Sequence, residues 1–216
     1  MKWICVAAFV LAVGQVAAGN DDLAKALKGV VDADSCAFVI TDGGAGKGTE
    51  GKFQKGLPLQ FKADGIEFFR KGDIMVYKQG DTWQRTRTGT LSDPLRILGA
   101  SAKVRAARTP SEELTMLAKT VKKATKEKAS VRTTFGEDEA RELARTEDRD
   151  LARNGTAKFW IDGEGRLTKY EFTIRVLGRR GNADVDGVVV KTVTLEAVGK
   201  TKIEVPAAAK KAMDKE

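Results

Sequence analysis

The stretch Ala37–Gly51, AFVITDGGAGKGTEG, carries the residue types of a phosphate cradle: an apolar strand runs into a glycine loop, with Lys47 and Thr49 close behind. Such a cradle works because backbone N–H groups at a helix N-terminus align on the anion. The spacing here does not support it. Thr41 stands where the loop requires glycine, and Gly48, Gly51, Gly56 and Pro58 follow the lysine, with alternating residues between them. No helix of useful length fits after Lys47, so the stretch reads as a connection between two strands.

Three other clusters have the composition of sites. NADVDG, Asn182 to Gly187, places oxygen ligands at alternate positions before a glycine, as calcium loops of the EF-hand kind begin. Its twelfth position is Val193 rather than Glu, and strand-forming residues follow. A hairpin loop rich in turn formers is the simpler reading, with a weak calcium loop as the alternative. The run Glu137–Asp150 is dense in carboxylates, but glycoside hydrolysis needs two of them facing each other across a cleft. Consecutive acids along a helix describe a solvated face instead. Lys122, Lys123, Lys126 and Lys128 form a basic group suited to an anionic membrane surface, or simply the wet side of a helix. No aromatics are interleaved with these lysines, so the pattern does not suit nucleic acid.

The chain contains no histidine, which excludes Ser-His-Asp and Cys-His catalysis and every His-ligated metal centre. Cys5 lies in the N-terminal apolar run and Cys36 is the other cysteine, so the mature chain has no partner for an intramolecular disulfide and no zinc set. Cys36, within SCAFVI, reads as a small buried apolar residue. These absences point to a non-enzymatic protein with no cofactor and no catalytic or metal-binding residues. Lys and Arg number 38 against 30 Asp and Glu, a net charge of +8, but the two signs are interspersed as on a solvated surface.

The opening MKWICVAAFVLAVGQVAAG has the three-part layout of a secretory signal peptide: Lys2, an apolar run from Trp3 to Val13, then small residues. The run is shorter than the roughly 20 residues that span a bilayer. Cleavage near Ala18 or Gly19 leaves a soluble periplasmic or secreted protein. The expected organisation is therefore a signal peptide over 1–19 and a single domain over 20–216.

An amphipathic helix with Leu23, Leu27 and Val30 on one side opens the mature chain. After the Cys36–Thr41 strand, Leu57, Leu59 and Phe61 alternate with polar residues. IEFFR, IMVYK and TWQRTRT follow, separated by KGD and QGD turns: a β-meander. Helices are expected from Asp93-Pro94 with Leu95, Leu98 and Ala102, over TPSEELTMLAKTVKKA with Leu114, Leu117, Ala118 and Val121, and over Glu137–Ala144. The charged remainder to Asn154 is expected as loop or frayed helix. TAKFWID and RLTKYEFTIRV then form a hairpin. Tyr170, Phe172, Ile174 and Val176 fall on one side of it, opposite Lys169, Glu171, Thr173 and Arg175. VVVKTVTLEAVG and TKIEV continue the sheet, and Pro206 opens a terminal helix. The fold class is α+β: a single curved antiparallel sheet, an incomplete β-barrel, covered by a few α-helices. Phe61, Phe68, Trp83, Phe172 and Ile174 of the sheet, with Leu98 and Leu117 of the covering helices, are the candidate lining of a hydrophobic groove.

FWIDGEGRLTKYEFTI followed by VTLEAVGKTKIEVPAAAKKA resembles bacterial envelope proteins of the LolA-like and LppX/LprG-like superfamily, as does the hairpin FRKGDIMVYKQGDTWQR. The shared features are an aromatic strand before a Gly-containing turn and a late strand ending at Gly199, with Ile203 and Pro206 at the usual spacing. The resemblance implies carriage of lipoprotein acyl chains or glycolipids without covalent chemistry. The chain lacks the lipid-anchor cysteine of the lipoprotein branch. The expected function is a periplasmic or secreted protein that binds a lipid, an acyl chain or a lipidated protein as a monomer. A structural or interaction module of the envelope with a solid core is the alternative.

Overall fold

Period-two alternation along most of the chain produces strands, and in the computed structural model these assemble edge to edge. The structure describes residues 20–43, 48–87, 99–100, 103–104, 107–121, 124–144, 149–180 and 183–214. The strands are β1 (Ser35–Thr41), β2 (Thr49–Gln54), β3 (Leu59–Ala63), β4 (Ile66–Lys71), β5 (Ile74–Gln79), β6 (Thr82–Arg87), β7 (Thr125–Lys126), β8 (Val131–Phe135), β9 (Ala152–Ile161), β10 (Leu167–Arg180) and β11 (Ala183–Glu196). They form one antiparallel sheet in the order β6-β5-β4-β3-β2-β1-β11-β10-β9-β8-β7, open at both edges among the described residues. The helices are α1 (residues 20–31), α2 (Pro110–Ala118), α3 (Glu137–Leu143) and α4 (Ala207–Met213), with short helical stretches at 99–100 and 103–104. The α+β class with one open sheet is as the sequence implies.

Backbone contacts divide the chain into two compact units. One holds the described residues up to Asp32 together with Pro110–Thr192. In it, β8, β9 and β10 stack cross-strand partners into ladders: Val131, Phe159 and Tyr170; Thr133, Ala157 and Phe172; Phe135, Gly155 and Ile174. All of these side chains except Gly155 are 8% exposed or less. Helix α2 caps this dry face with Leu114 and Leu117, and the Thr133 hydroxyl donates to the Thr120 carbonyl at 2.7 Å just beyond the helix. Helix α3 packs against β9, while Ser111 donates to the Val31 carbonyl at 3.1 Å and ties α2 to the end of α1. On the opposite face, Lys169 lies over the Trp160 ring at 4.4 Å, and Thr192 donates to Glu171.

The other unit is Ala33–Thr109 with Val193–Glu216. Its register places Phe38, Gly51, Phe61, Phe68, Tyr77 and Gln84 in one continuous row across β1 to β6. Phe38 meets Phe61 edge-on at 6.1 Å, and Phe68 lies 6.0 Å from Tyr77. Arg70, on the same side, donates to the carbonyls of Val104 and Ala107 at 2.6 and 2.7 Å and lies over the Phe61 ring. The reverse side carries a second cluster. Phe69, Val76, Ile74 and Trp83 pack there under Ile203, Val205 and the Ala209, Ala212 and Met213 stripe of α4.

Several local expectations shift. The charged segment before Asn154 ends in a single 3-10 turn, Arg149–Leu151, and β9 already runs from Ala152 because that alanine is buried against the sheet. Helix α2 stops at Ala118 rather than continuing through Val121, and the chain turns through Thr120. Asp184 and Asp186, expected in a loop, lie in β11, where they meet Arg179 at 3.2 Å and Arg175 at 3.6 Å; Asn182 is outside the described residues. The acids of the run that are described are solvated, with Glu137 paired to Arg141 and Glu142 3.4 Å from Lys119; residues 145–148 lie outside the described residues. Gly44–Lys47, Lys122, Lys123 and the segment from Asp93 to Leu98 lie outside the described residues.

Two strand glycines are required by neighbouring rings. A Cβ on Gly51 would stand 2.3 Å from the ring of Phe38, its direct cross-strand partner, and a Cβ on Gly155 would stand 2.3 Å from the ring of Phe135, likewise its partner. Each ring occupies the space a side chain would take. Gly51→Ala and Gly155→Ala are each expected to lower stability by about 1–3 kcal/mol through overpacking. Gly29, in α1 with nothing near its Cβ position, is the control: Gly29→Ala should raise stability by about 0.5–1 kcal/mol. Urea unfolding monitored by circular dichroism measures all three.

Candidate functional site

The dry face of β8–β10 holds one charged centre. Glu113, in the first turn of α2, is 1% exposed. Its Oε2 accepts the Tyr170 hydroxyl at 2.7 Å, and its Oε1 binds the Lys191 ammonium. The Lys191 side chain is 11% exposed, and its Nζ lies 5.8 Å from the centroid of the Phe172 ring. A carboxylate removed from water is tolerable only when both oxygens have donors, and here both do. The arrangement joins α2 to β10 and β11 by directional bonds, and places a cation against an aromatic face inside an otherwise apolar layer.

Sequence pattern did not single out Glu113 or Lys191, although each carries a legible sign. Glu113 is one turn before Leu117 and adjacent to Leu114, so it falls within the apolar stripe of its helix. Lys191 is two residues before the buried Val193, on the dry parity of β11. A charge on the dry side of both partners signals a buried pair.

The candidate groove residues separate into sets. In the unit containing α2, Leu117, Phe172 and Ile174 are all buried, at 0–2% exposure, and Phe172 lies under the Lys191 ammonium of the Glu113 centre. In the other unit, Phe61 and Phe68 are direct cross-strand partners and fully buried. Trp83 is not with them: it stands on the reverse side of β6, 5.4 Å from Phe69 under α4, because the register puts Gln84 opposite Tyr77. Leu98 is outside the described residues. Among the described residues, no group of His, Cys, Asp or Glu is arranged to hold a metal ion.

Cys36 is buried at 2% exposure, and its thiol donates weakly to the Ala37 carbonyl. Burial pushes its pKa from 9.0 up to about 12 against a smaller opposing effect of the Glu196 backbone, so the neutral thiol is the stable form.

No family model matches the chain, and no curated protein sequence matches it. Solved structures share its fold. The lipoprotein LppX of Mycobacterium tuberculosis aligns with a TM-score of 0.53 at 14% identity, over 87% of this chain and 98% of that one. LprF of Mycobacterium bovis aligns with a TM-score of 0.53 at 13% identity, over 89% of this chain and 98% of that one. The chain therefore has an LppX-like fold, as the strand and turn motifs imply.

Two outcomes follow from the site. Glu113→Ala strands the Lys191 ammonium and the Tyr170 hydroxyl in an apolar layer and should cost about 3–5 kcal/mol, whereas the matched double variant Glu113→Leu/Lys191→Met should cost well under the sum of its single changes. A double-mutant cycle in urea gives the coupling. For Cys36, the unfolded chain loses its proton above about pH 9 while the folded chain keeps it to about 12, so stability should fall as pH rises across that interval. Cys36→Ala should flatten that slope, and a thiol reagent should react with the native chain only at the rate of unfolding.

Proposed function

We propose that the chain is a non-enzymatic extracytoplasmic binding protein whose dry sheet face accepts a lipid, an acyl chain or a lipidated protein. The observation that carries this reading is the face formed by Phe159, Tyr170, Phe172 and Ile174, with Leu114 and Leu117 of α2 laid over it. An acyl chain placed there gains about 25 cal/mol for each Å² withdrawn from water. Phe61 and Phe68 offer a comparable surface in the other unit. Support also comes from the fold shared with LprF and with LppX, the latter named as a lipoprotein, from the resemblance of the strand motifs to envelope lipid carriers, and from the absence of histidine in the sequence. The leader-like first 19 residues favour export, and no described helix is long and apolar enough to cross a membrane.

A second reading is favoured by one specific observation. Phe61, Phe68, Phe172, Ile174 and Leu117 are almost completely covered, Phe61 meets Phe38 edge-on, and the Phe38 and Phe135 rings fill the space over Gly51 and Gly155. That is the packing of a solid envelope module. The carrier reading requires the helix over the dry face to yield, and the polar bonds of Glu113 and Thr120 are the attachments that would have to stretch.

Native mass spectrometry of the chain purified from its own host separates the two readings. The carrier is expected to appear with an adduct of lipid mass that extraction into organic solvent removes. A single apo mass, unchanged after incubation with host lipid extract, would overturn it in favour of the solid module.

A further inference from the structure

A depression of about 600 Å³ is lined by Asp34, Ser35, Gln54, Lys55, Gly199, Lys200, Thr201 and Lys202. All belong to the unit built on β1–β6. Three ammonium groups face it against one carboxylate, and that carboxylate, Asp34, makes only a 3.7 Å exposed contact with Lys55. Lys200 and Lys202 have no ion-pair partner among the described residues.

The frame behind the lysines is fixed by bonds that consume acceptors and leave donors. The Thr201 N–H donates to Ser35 Oγ at 3.1 Å, the Ile203 N–H to Gln54 Oε1 at 2.8 Å, and the Gly199 N–H to the Ser35 carbonyl at 2.7 Å. The Thr201 hydroxyl is spent on the Ala197 carbonyl. What remains is the proton of Ser35 and both amide protons of Gln54, none of which meets an acceptor among the described residues. Ser35 and Thr201 are buried, so this frame is not a loose surface loop. Ala197, a residue with a Cβ, is held at φ 46° at the start of the loop, and Gly199 at φ 75°. Backbone in that region is unfavourable for a non-glycine residue and persists where surrounding bonds impose it, a state that recurs at ligand sites.

A basin whose free polar groups are donors, with a surplus of positive charge, matches a tetrahedral oxyanion. We infer that the depression between the β1–β2 end and the 197–203 loop binds a phosphate-class anion, either a free phosphate or phosphate ester or the phosphate of a lipid headgroup. Lys200 and Lys202 supply the charge, Lys55 adds to it when released from Asp34, and Gln54 and Ser35 orient the oxygens. This site is independent of the apolar faces and of any lipid carriage.

The test titrates the ¹⁵N-labelled full mature chain with inorganic phosphate at constant ionic strength, with chloride as the comparison. The amide shifts of Gly199, Lys200, Thr201 and Lys202 are followed. In parallel, the chain is sedimented with phosphatidylcholine vesicles with and without phosphatidic acid. The expected result is saturable shifts with phosphate, weakened roughly tenfold or more by Lys200→Gln/Lys202→Gln and unchanged by Lys28→Gln on α1. Because both loop lysines are exposed, the double variant should keep the native melting temperature. Saturation by phosphate supports a soluble ligand; binding only to phosphatidic acid vesicles, lost in the same variant, supports the headgroup. Shifts that chloride reproduces, binding that survives in the double variant, or no response to either probe would overturn the site.

Discussion

Tyr170, Phe172, Ile174 and Val176 stand on the same side of β10 because successive side chains of a strand point to opposite faces. Each large side chain removed from water contributes about 1.5–3 kcal/mol, and left exposed it contributes nothing. A sheet with a dry side of this extent must be covered, and the remaining elements are disposed accordingly. Helix α2 buries Leu114 and Leu117 and is tied to β8 and β10 through the Thr133–Thr120 and Tyr170–Glu113 bonds. In the other unit, the Arg70 guanidinium holds the Val104 and Ala107 carbonyls beside Phe61, while α4 takes the second apolar cluster around Phe69 and Val76. Rings add to the cover: Phe38 and Phe135 each fill the space that a side chain on the cross-strand glycine would take.

Covering a dry face with apolar contacts alone leaves the position of the cover weakly defined. The Glu113 centre supplies direction. Its carboxylate accepts from Tyr170 on β10 and Lys191 on β11, so α2 is fixed in both rotation and height. Buried pairs of this kind contribute little net stability against an apolar replacement, but they are costly to disrupt by half. A cation beside the Phe172 ring, at 5.8 Å, and a helix held by a small number of polar bonds are what distinguish this interior from a uniformly greasy one.

Much of this was readable before any coordinates. The alternation in FRKGDIMVYKQGDTWQR gives β4–β6 nearly to the residue, since turn glycines mark their limits, while FWIDGEGRLTKYEFTI gives the β9–β10 hairpin and its turn but not the outer ends of the two strands. Trp83 shows where reading by residue type breaks down. Aromatic character grouped it with Phe61 and Phe68, but parity depends on which residues face each other across two successive turns, and Tyr77 opposite Gln84 sends Trp83 to the reverse side. The early start of β9 was hidden by the polar pair Arg153 and Asn154, although the flanking Ala152 is wholly buried. The Glu113 centre was missed because helical and strand periodicity were each read for apolar residues, when the informative positions were the charges that interrupted them. The depression at Lys200 depends on backbone geometry at Ala197 and Gly199, which no local pattern announces.

The central claim is that the dry face over β8–β10 admits an apolar guest beneath α2. Nuclear Overhauser contacts from the methylenes of a ¹³C-labelled fatty acid to the Phe172 ring and the Ile174 methyls test it most directly. The account predicts such contacts together with altered shifts at Glu113 and Lys191 as the helix adjusts. A labelled chain that shows contacts only to exposed residues, with Phe172 and Ile174 keeping their apo shifts, would contradict it.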